Sequence, residues 1–312
     1  MRLSSHLVLA GAVALLALGG TAQAAESSIF DLSPEQPGRI HVQADPALVA
    51  KLPVDFKWAA PGSFTVAIAA AGEPPLATYA TDAATVIGSD PDIASQLAET
   101  LGLKLNLVAV AWPDWPLGLA SGKYDAVISN VGVTEERKLK FDFSTYRQGL
   151  HGFFVKTDSK INSIKEPKDV AGLKIATSSG TIQDRIINEW SKENVAAGLQ
   201  PSDILYYDDT AATLLAIQSG RVDAIFNVNS VYTYQGLKTG AIRLVGNVNA
   251  GWPNIADVGV TTRKDSGLAD VLTAAINELI ANGTYAKTLA QWNLTPESIP
   301  VSKTNPPGLP KY

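Results

Sequence analysis

Arg137 is the residue in this chain best suited to hold a charged small molecule. It follows the turn "SNVGVTEERK" (Ser129–Lys138), which leaves the apolar stretch "YDAVI" (Tyr124–Ile128). A guanidinium presents two parallel N–H donors that match a carboxylate and stays protonated at any physiological pH. The turn before it can offer the backbone groups of Ser129, Asn130 and Gly132 and the hydroxyl of Thr134. The plain alternative is a surface arginine paired with Glu135 or Glu136. A second feature has similar chemistry: Gly180 and Thr181 follow a strand-like run and open a helix-like one. Free N–H groups at such a helix start favour an anion, although Thr181 also suits a simple N-cap.

Other chemistries find less support. The chain has 312 residues and no cysteine, so disulfides, thiolate nucleophiles and cysteine metal sites are excluded. Its three histidines, His6, His41 and His151, are far apart and show no metal-ligand spacing, and no cofactor is expected. A formal net charge of −5 without a basic block gives no electrostatic case for nucleic acid.

The elements that must position Arg137 read as alternating strands and helices. "FTVAIAA" (Phe64–Ala70) predicts a strand and "DPDIASQLAETLGL" (Asp90–Leu103) a helix, with Ile93, Leu97 and Leu101 at helical spacing. "KLNLVAV", "YDAVIS", "LKIAT", "DILYYDD" and "VDAIFNV" predict further strands, and "TAATLLAIQSGR" (Thr210–Arg221) a helix. "LGLASGKYDAVISN" and "LLAIQSGRVDAIFN" echo one another, each with a helix, a Ser-Gly-basic cap and a strand starting near Asp. Gly122 and Gly220 suit the left-handed position that ends a helix. Matched units predict an α/β protein of two similar lobes, each a mostly parallel sheet flanked by helices. The end of the chain is helical over Gly267–Trp292, breaks at Asn282-Gly283, and becomes proline-rich from Pro296 to Pro310.

The beginning reads as an export signal. Arg2 and His6 precede the apolar run Leu7–Gly20 and the small-residue site "AQA" (Ala22–Ala24). Residues 1–24 are therefore expected to be cleaved, with no later apolar run long enough to span a bilayer. Without a cysteine there is no site for a lipid anchor. The expected location is the periplasm, free of any direct membrane anchor. Residues 25–61, rich in proline, read as a loosely structured extension that wraps the surface.

In this order and spacing the elements resemble the extracellular solute-binding proteins of ABC importers, specifically the polar amino-acid-binding family. Four stretches carry the resemblance: "EPPL" (Glu73–Leu76), "LASGKYDAVISNVGVTEERKLKFDFS" (Leu119–Ser144), "GTIQD" (Gly180–Asp184) and "NELIANGTYAKTLAQW". It covers Phe64 to about Leu294. The resemblance implies a type II periplasmic binding fold whose two lobes, joined by two hinge crossings, close on a ligand. Lobe one would comprise 62–152 with 256–312, and lobe two 153–255. It also implies a membrane permease as partner and a monomeric protein. Arg137 would clamp the ligand's carboxylate, Gly180 and Thr181 would complete that site, and Trp112 would cover the ligand side chain by stacking or cation–π attraction. Tyr232 and Trp252 are weaker cleft candidates.

Two departures from the family pattern bear on the ligand. Gly132 stands where a serine or threonine usually contacts the carboxylate and the α-ammonium. Val228 stands where an aspartate usually pairs with that ammonium, and strand alternation is expected to turn Asn227 and Asn229 away from its face. Glu73 could supply the missing carboxylate, or be an exposed loop residue. The expected ligand is a small carboxylate-bearing metabolite: an amino acid, a modified amino acid or an opine-like compound. The alternative is a periplasmic enzyme resembling cyclohexadienyl or arogenate dehydratases, with Glu73 as a cleft acid.

Overall fold

The structure is a computed structural model and describes residues 29–69, 74–207 and 209–310. The signal read over residues 1–24 lies outside them. Where described, the proline-rich segment that follows lies across the protein and, against the loose structure expected of it, is hydrogen-bonded to the body along its length, from Leu32 to Ala59. Its one helical turn, α1 (Pro46–Val49), is capped by Asp45, which accepts the Ala47 N–H. Phe30 and Leu48 are buried, Arg39 pairs with Asp92 at 2.7 Å, and Glu99 accepts from the Val42 N–H at 2.8 Å.

The first layer begins with β1 (Ser63–Ala69), a small hairpin of β2 (Thr78–Tyr79) and β3 (Val86–Ile87), and helix α2 (Ser89–Thr100). It continues through β4 (Lys104–Val110), α3 (Trp115–Ala120), β5 (Ala126–Val127), the short α4 (Glu135–Lys138) and β6 (Phe141–Gln148). The second layer holds β7 (Leu150–Lys156), β8 (Lys174–Thr177), α5 (Ile182–Ala196), β9 (Asp203–Tyr206), α6 (Thr210–Gln218), β10 (Ala224–Val228), α7 (Asn229–Thr239) and β11 (Ile242–Asn249). The chain then returns through β12 (Asp257–Arg263) and closes with α8 (Leu268–Ala281) and α9 (Thr284–Gln291).

Two five-stranded sheets result, with orders β4-β1-β5-β12-β6 and β9-β8-β10-β7-β11. In each, the first three strands pair in parallel and the last two junctions are antiparallel. Four strands of each sheet therefore run one way and one runs against them. The opposed strand is the crossing strand: β7 enters the second sheet, and β12 re-enters the first. The repeated sequence units become α3–β5 and α6–β10. Gly122 and Gly220 end their helices at φ of 78° and 72°, where a side chain would be strained.

Apolar periodicity explains the packing. Ile93, Leu97 and Leu101 of α2, and Leu268, Leu272, Ile276 and Leu279 of α8, are all buried against Phe64, Val66 and Ile68. In the second sheet Phe153 stacks on Phe226 at 4.1 Å, and Trp190 of α5 stacks on Phe153 at 5.3 Å. Fully burying such side chains contributes about 1.5–3 kcal/mol each. This packing fixes both sheets so that the loops after β1, β4 and β5 face those after β8, β9 and β10. Ligands are expected at such carboxyl ends of strands.

Candidate functional site

Between the sheets lies a cavity of about 660 Å³. Its walls come from the loop after β4 (Ala111–Pro113), the turn after β5 (Ser129, Asn130, Gly132), Arg137, the start of α5, and the end of β10. Of the residues singled out in the sequence, Trp112, Ser129, Asn130, Gly132, Arg137, Thr181 and Val228 line this one cavity. Glu73 lies outside the described residues.

Arg137 is half-buried and is not paired with its acidic neighbours. Glu135 bonds Lys138 at 3.0 Å, and Glu136 faces Arg185 of α5 at 3.6 Å. The guanidinium instead donates from Nη1 to the Gly132 carbonyl at 2.8 Å, and its Cζ sits 5.8 Å from the Trp112 ring and 5.9 Å from that of Trp115. Burial, helped by the nearby charge of Arg185, lowers its pKa to about 10, so it remains protonated at neutral pH. Trp112 therefore contacts the guanidinium itself. The residue is 36% exposed and lines the cavity.

Several predicted contacts fall elsewhere. Thr134 is buried and does not line the cavity: its hydroxyl oxygen caps α4 by accepting the Arg137 N–H at 3.1 Å. The Asn130 N–H is not free for a ligand, because it donates to the Tyr146 hydroxyl at 3.3 Å. Gly180 is outside the cavity lining, and its N–H donates to Asp184 Oδ2 at 2.9 Å. Thr181 is the N-cap of α5, accepting from the Asp184 N–H at 3.2 Å and donating to the Ser178 carbonyl at 2.6 Å. An acid in its own first turn has thus taken up much of the anion-binding capacity of α5.

Asn227 corrects the alternation argument. It lines the cavity together with Val228. The strand ends there, Val228 serving as N-cap of α7 at φ −53°, and the two-residue period ends with it. Asn227 accepts from Gln183 Nε2 at 2.9 Å and donates to Ser178 Oγ at 3.2 Å, forming a polar shelf at the edge of the second sheet. Tyr232 also lines the cavity, whereas Trp252 packs against Trp190 at 5.5 Å, outside it.

Among the wall residues that the sequence does not single out are Asp90 and His151. Asp90 is the second residue of α2 and accepts from the Tyr146 hydroxyl at 2.9 Å. Burial raises its pKa to about 6, against the pull of Arg147. Arg147, wholly buried, pairs with Glu297 and donates to Asn130 Oδ1 at 2.7 Å. This network holds Asn130 in the left-handed region, φ 52°, and so shapes the turn before Arg137. No sequence pattern marks residues distant in the chain that only folding joins.

Among the described residues no group of acidic or histidine side chains could hold a metal ion, and no helix is long and apolar enough to cross a membrane.

The chain matches the model of the bacterial extracellular solute-binding proteins, family 3, over residues 65–295. It belongs to that family. The family 3 protein is 31% identical to the L-arginine-binding protein of Pseudomonas aeruginosa over 225 residues, 69% of this chain and 82% of the relative. It is 29% identical to the L-cystine-binding protein TcyJ of Escherichia coli K12 over 240 residues, 73% and 82% of the two chains. Among solved structures, an ancestral arginine-binding protein bound to arginine aligns with a TM-score of 0.63 and 28% identity, covering 74% of this chain and 98% of that one. An ancestral amino acid-binding protein, a precursor of cyclohexadienyl dehydratase, aligns at 0.61 and 26%, covering 74% and 95%. The curated relatives are binding proteins, and this family 3 protein is likewise a solute-binding protein of an ABC importer rather than an enzyme.

Proposed function

We propose that the protein captures a small carboxylate-bearing metabolite in the cleft, with Arg137 as anchor, and delivers it as a periplasmic monomer to its permease after removal of residues 1–24. The observation that carries this reading is a cavity-facing guanidinium with no ion-pair partner among the described residues. Its neighbouring acids are engaged by Lys138 and Arg185. A charged group left this way in a desolvated wall gains most from an anion that arrives from outside. Trp112 backs the guanidinium and offers the ligand a flat face, with Ser129 and Thr181 as polar neighbours. The amino-acid names of the relatives support a carboxylate ligand. The lobes are taken as residues 62–152 with 256–312 and residues 153–255, closing about the two crossings.

The test is calorimetry on carboxylate ligands found by a thermal-shift screen. Arg137→Ala should weaken the best ligand at least about 100-fold, the scale of a lost charge-assisted pair. The melting temperature of the empty protein should hardly change. Undiminished affinity in the variant would remove Arg137 as the anchor.

A further inference from the structure

Resting on the reading that the two lobes close about the cavity, we propose that the segment ahead of β1 is a clasp between them. Phe30, wedged between Tyr234 and Trp292, holds the second lobe against the first and biases the empty protein toward the closed arrangement.

The segment is fixed to the first lobe. Arg39 pairs with Asp92 of α2 at 2.7 Å, Gln96 of α2 donates to the Ile40 carbonyl at 3.2 Å, and Gln291 of α9 donates to the Gly38 carbonyl. Nearer the start, the Thr81 N–H donates to the Leu32 carbonyl at 2.9 Å. Gln36 is buried and closes a turn by donating to the carbonyls of Asp31 and Ser33 at 2.8 and 2.7 Å. These bonds set the point from which Phe30 projects.

Phe30 reaches past that lobe. Its ring stacks on Tyr234 with centroids 5.5 Å apart and planes at 20°, and meets Trp292 at 5.2 Å. Tyr234 belongs to α7, which packs on β7, β10 and β11 of the second sheet. Trp292 follows α9, which packs on α2 and α8, and its Nε1 donates to Asp92 Oδ2 at 2.8 Å. One carboxylate thus holds both Arg39 of the segment and the ring that backs Phe30. All three rings are buried, and aromatic contacts of this kind are favourable beyond the area they bury.

Polar atoms beside the clasp pull the other way. Ser230 and Thr233 of α7 line a small cavity with Phe30, Pro75 and Trp292. Their hydroxyl oxygens are buried without a partner among the described residues. Such groups disfavour the contact that hides them, and water would satisfy them if the lobes parted. The apolar clasp offsets that tendency. The lobes also touch at Glu136–Arg185 and at Gly132–Ile182, so clasp and closed cleft are formed together. A rotation that parts α5 from the turn after β5 also shifts α7 against α9, and each contact therefore favours the other.

The experiment measures the separation of two nitroxide labels by electron–electron double resonance, on ligand-free chain lacking residues 1–24. The chain has no cysteine, so Leu117→Cys on α3 and Leu215→Cys on α6, at positions 78% and 67% exposed, place one label on each lobe. Phe30→Ala should raise the ratio of long to short separations roughly tenfold, the scale of one buried aromatic contact. Tyr234→Ala should do the same, and reads the same contact if Phe30→Ala folds poorly. The double variant should go no further than either single one. Gly132→Leu, whose side chain has no room beneath Ile182, serves as the control that forces the lobes apart from the cleft side. If it lengthens the separation and the Phe30 and Tyr234 variants do not, the clasp is overturned. If none of the three lengthens it, the lobes do not part, and the closing motion beneath the proposal falls instead.

Discussion

A Cβ on Gly132 would lie 2.6 Å from Cδ1 of Ile182. Gly132 ends the turn after β5 in one lobe, and Ile182 opens α5 in the other. The isoleucine methyl thus fills the space that a side chain at position 132 would need. It also packs on Ala250, Ala256 and Leu309, making an apolar contact between the lobes.

The two residues should therefore couple. Gly132→Ser alone should weaken the best ligand by about 1–2 kcal/mol, because the added atoms force Ile182 to move. In the double variant with Ile182→Ala the serine has room, and most of that loss should return. A double-mutant cycle by calorimetry measures the coupling, and additive effects would mean the contact does not govern binding.

Glu297 balances a wholly buried Arg147. Glu297→Gln should destabilise the fold by about 3–5 kcal/mol in urea denaturation, since it leaves a buried cation uncompensated. Arg147 also holds Asn130 Oδ1 at 2.7 Å, so ligand affinity should fall as well when the turn loosens. A stability change under about 1 kcal/mol would show that Asp90 or water carries the charge instead.

His151 should make stability pH-dependent in a direction that follows from its shift. Its pKa falls from 6.5 in the unfolded chain to about 3 in the fold. Between those values the unfolded chain binds the extra proton, so the folded state loses stability as pH falls. Compared with His151→Phe, wild type should lose roughly 2 kcal/mol more between pH about 7.5 and about 4.5. Melting curves of both proteins at the two values provide the check, and parallel curves would place the imidazole in solvent.

Arg185 faces Glu136 across the two lobes at 3.6 Å, with both side chains substantially exposed at 41% and 52%. Such a pair contributes little, about 0–1 kcal/mol, and less in salt. Arg185→Gln should thus weaken binding only a few-fold at low ionic strength, and the difference should vanish near about 0.5 M salt. A large, salt-insensitive loss would mean that Arg185 touches the ligand.

Much of this protein is local enough to be legible in its residues. The helical spacing in α2 and α8, the Gly122 and Gly220 caps and the repeated α–β units specify two α/β lobes. Neighbours along the chain determine all three. Arg137, Trp112 and Val228 could be placed because each sits at a strand end or in the turn beyond. Thr134, Gly180 and Asn227 could not be assigned correctly. Whether a hydroxyl or N–H faces a ligand depends on who else claims it, and those claimants are Arg137, Asp184 and the end of β10.

By itself the sequence determined the elements, their order, and the position of Arg137 in the turn after β5. The tertiary structure alone decided the cleft's chemistry. Only folding sets His151 beside Val228, Ile182 over Gly132 and Glu297 against Arg147. The physical reason is that periodicity encodes which face of an element is buried, whereas desolvation and hydrogen-bond satisfaction depend on residues far apart in the chain, 150 positions in the case of Arg147 and Glu297.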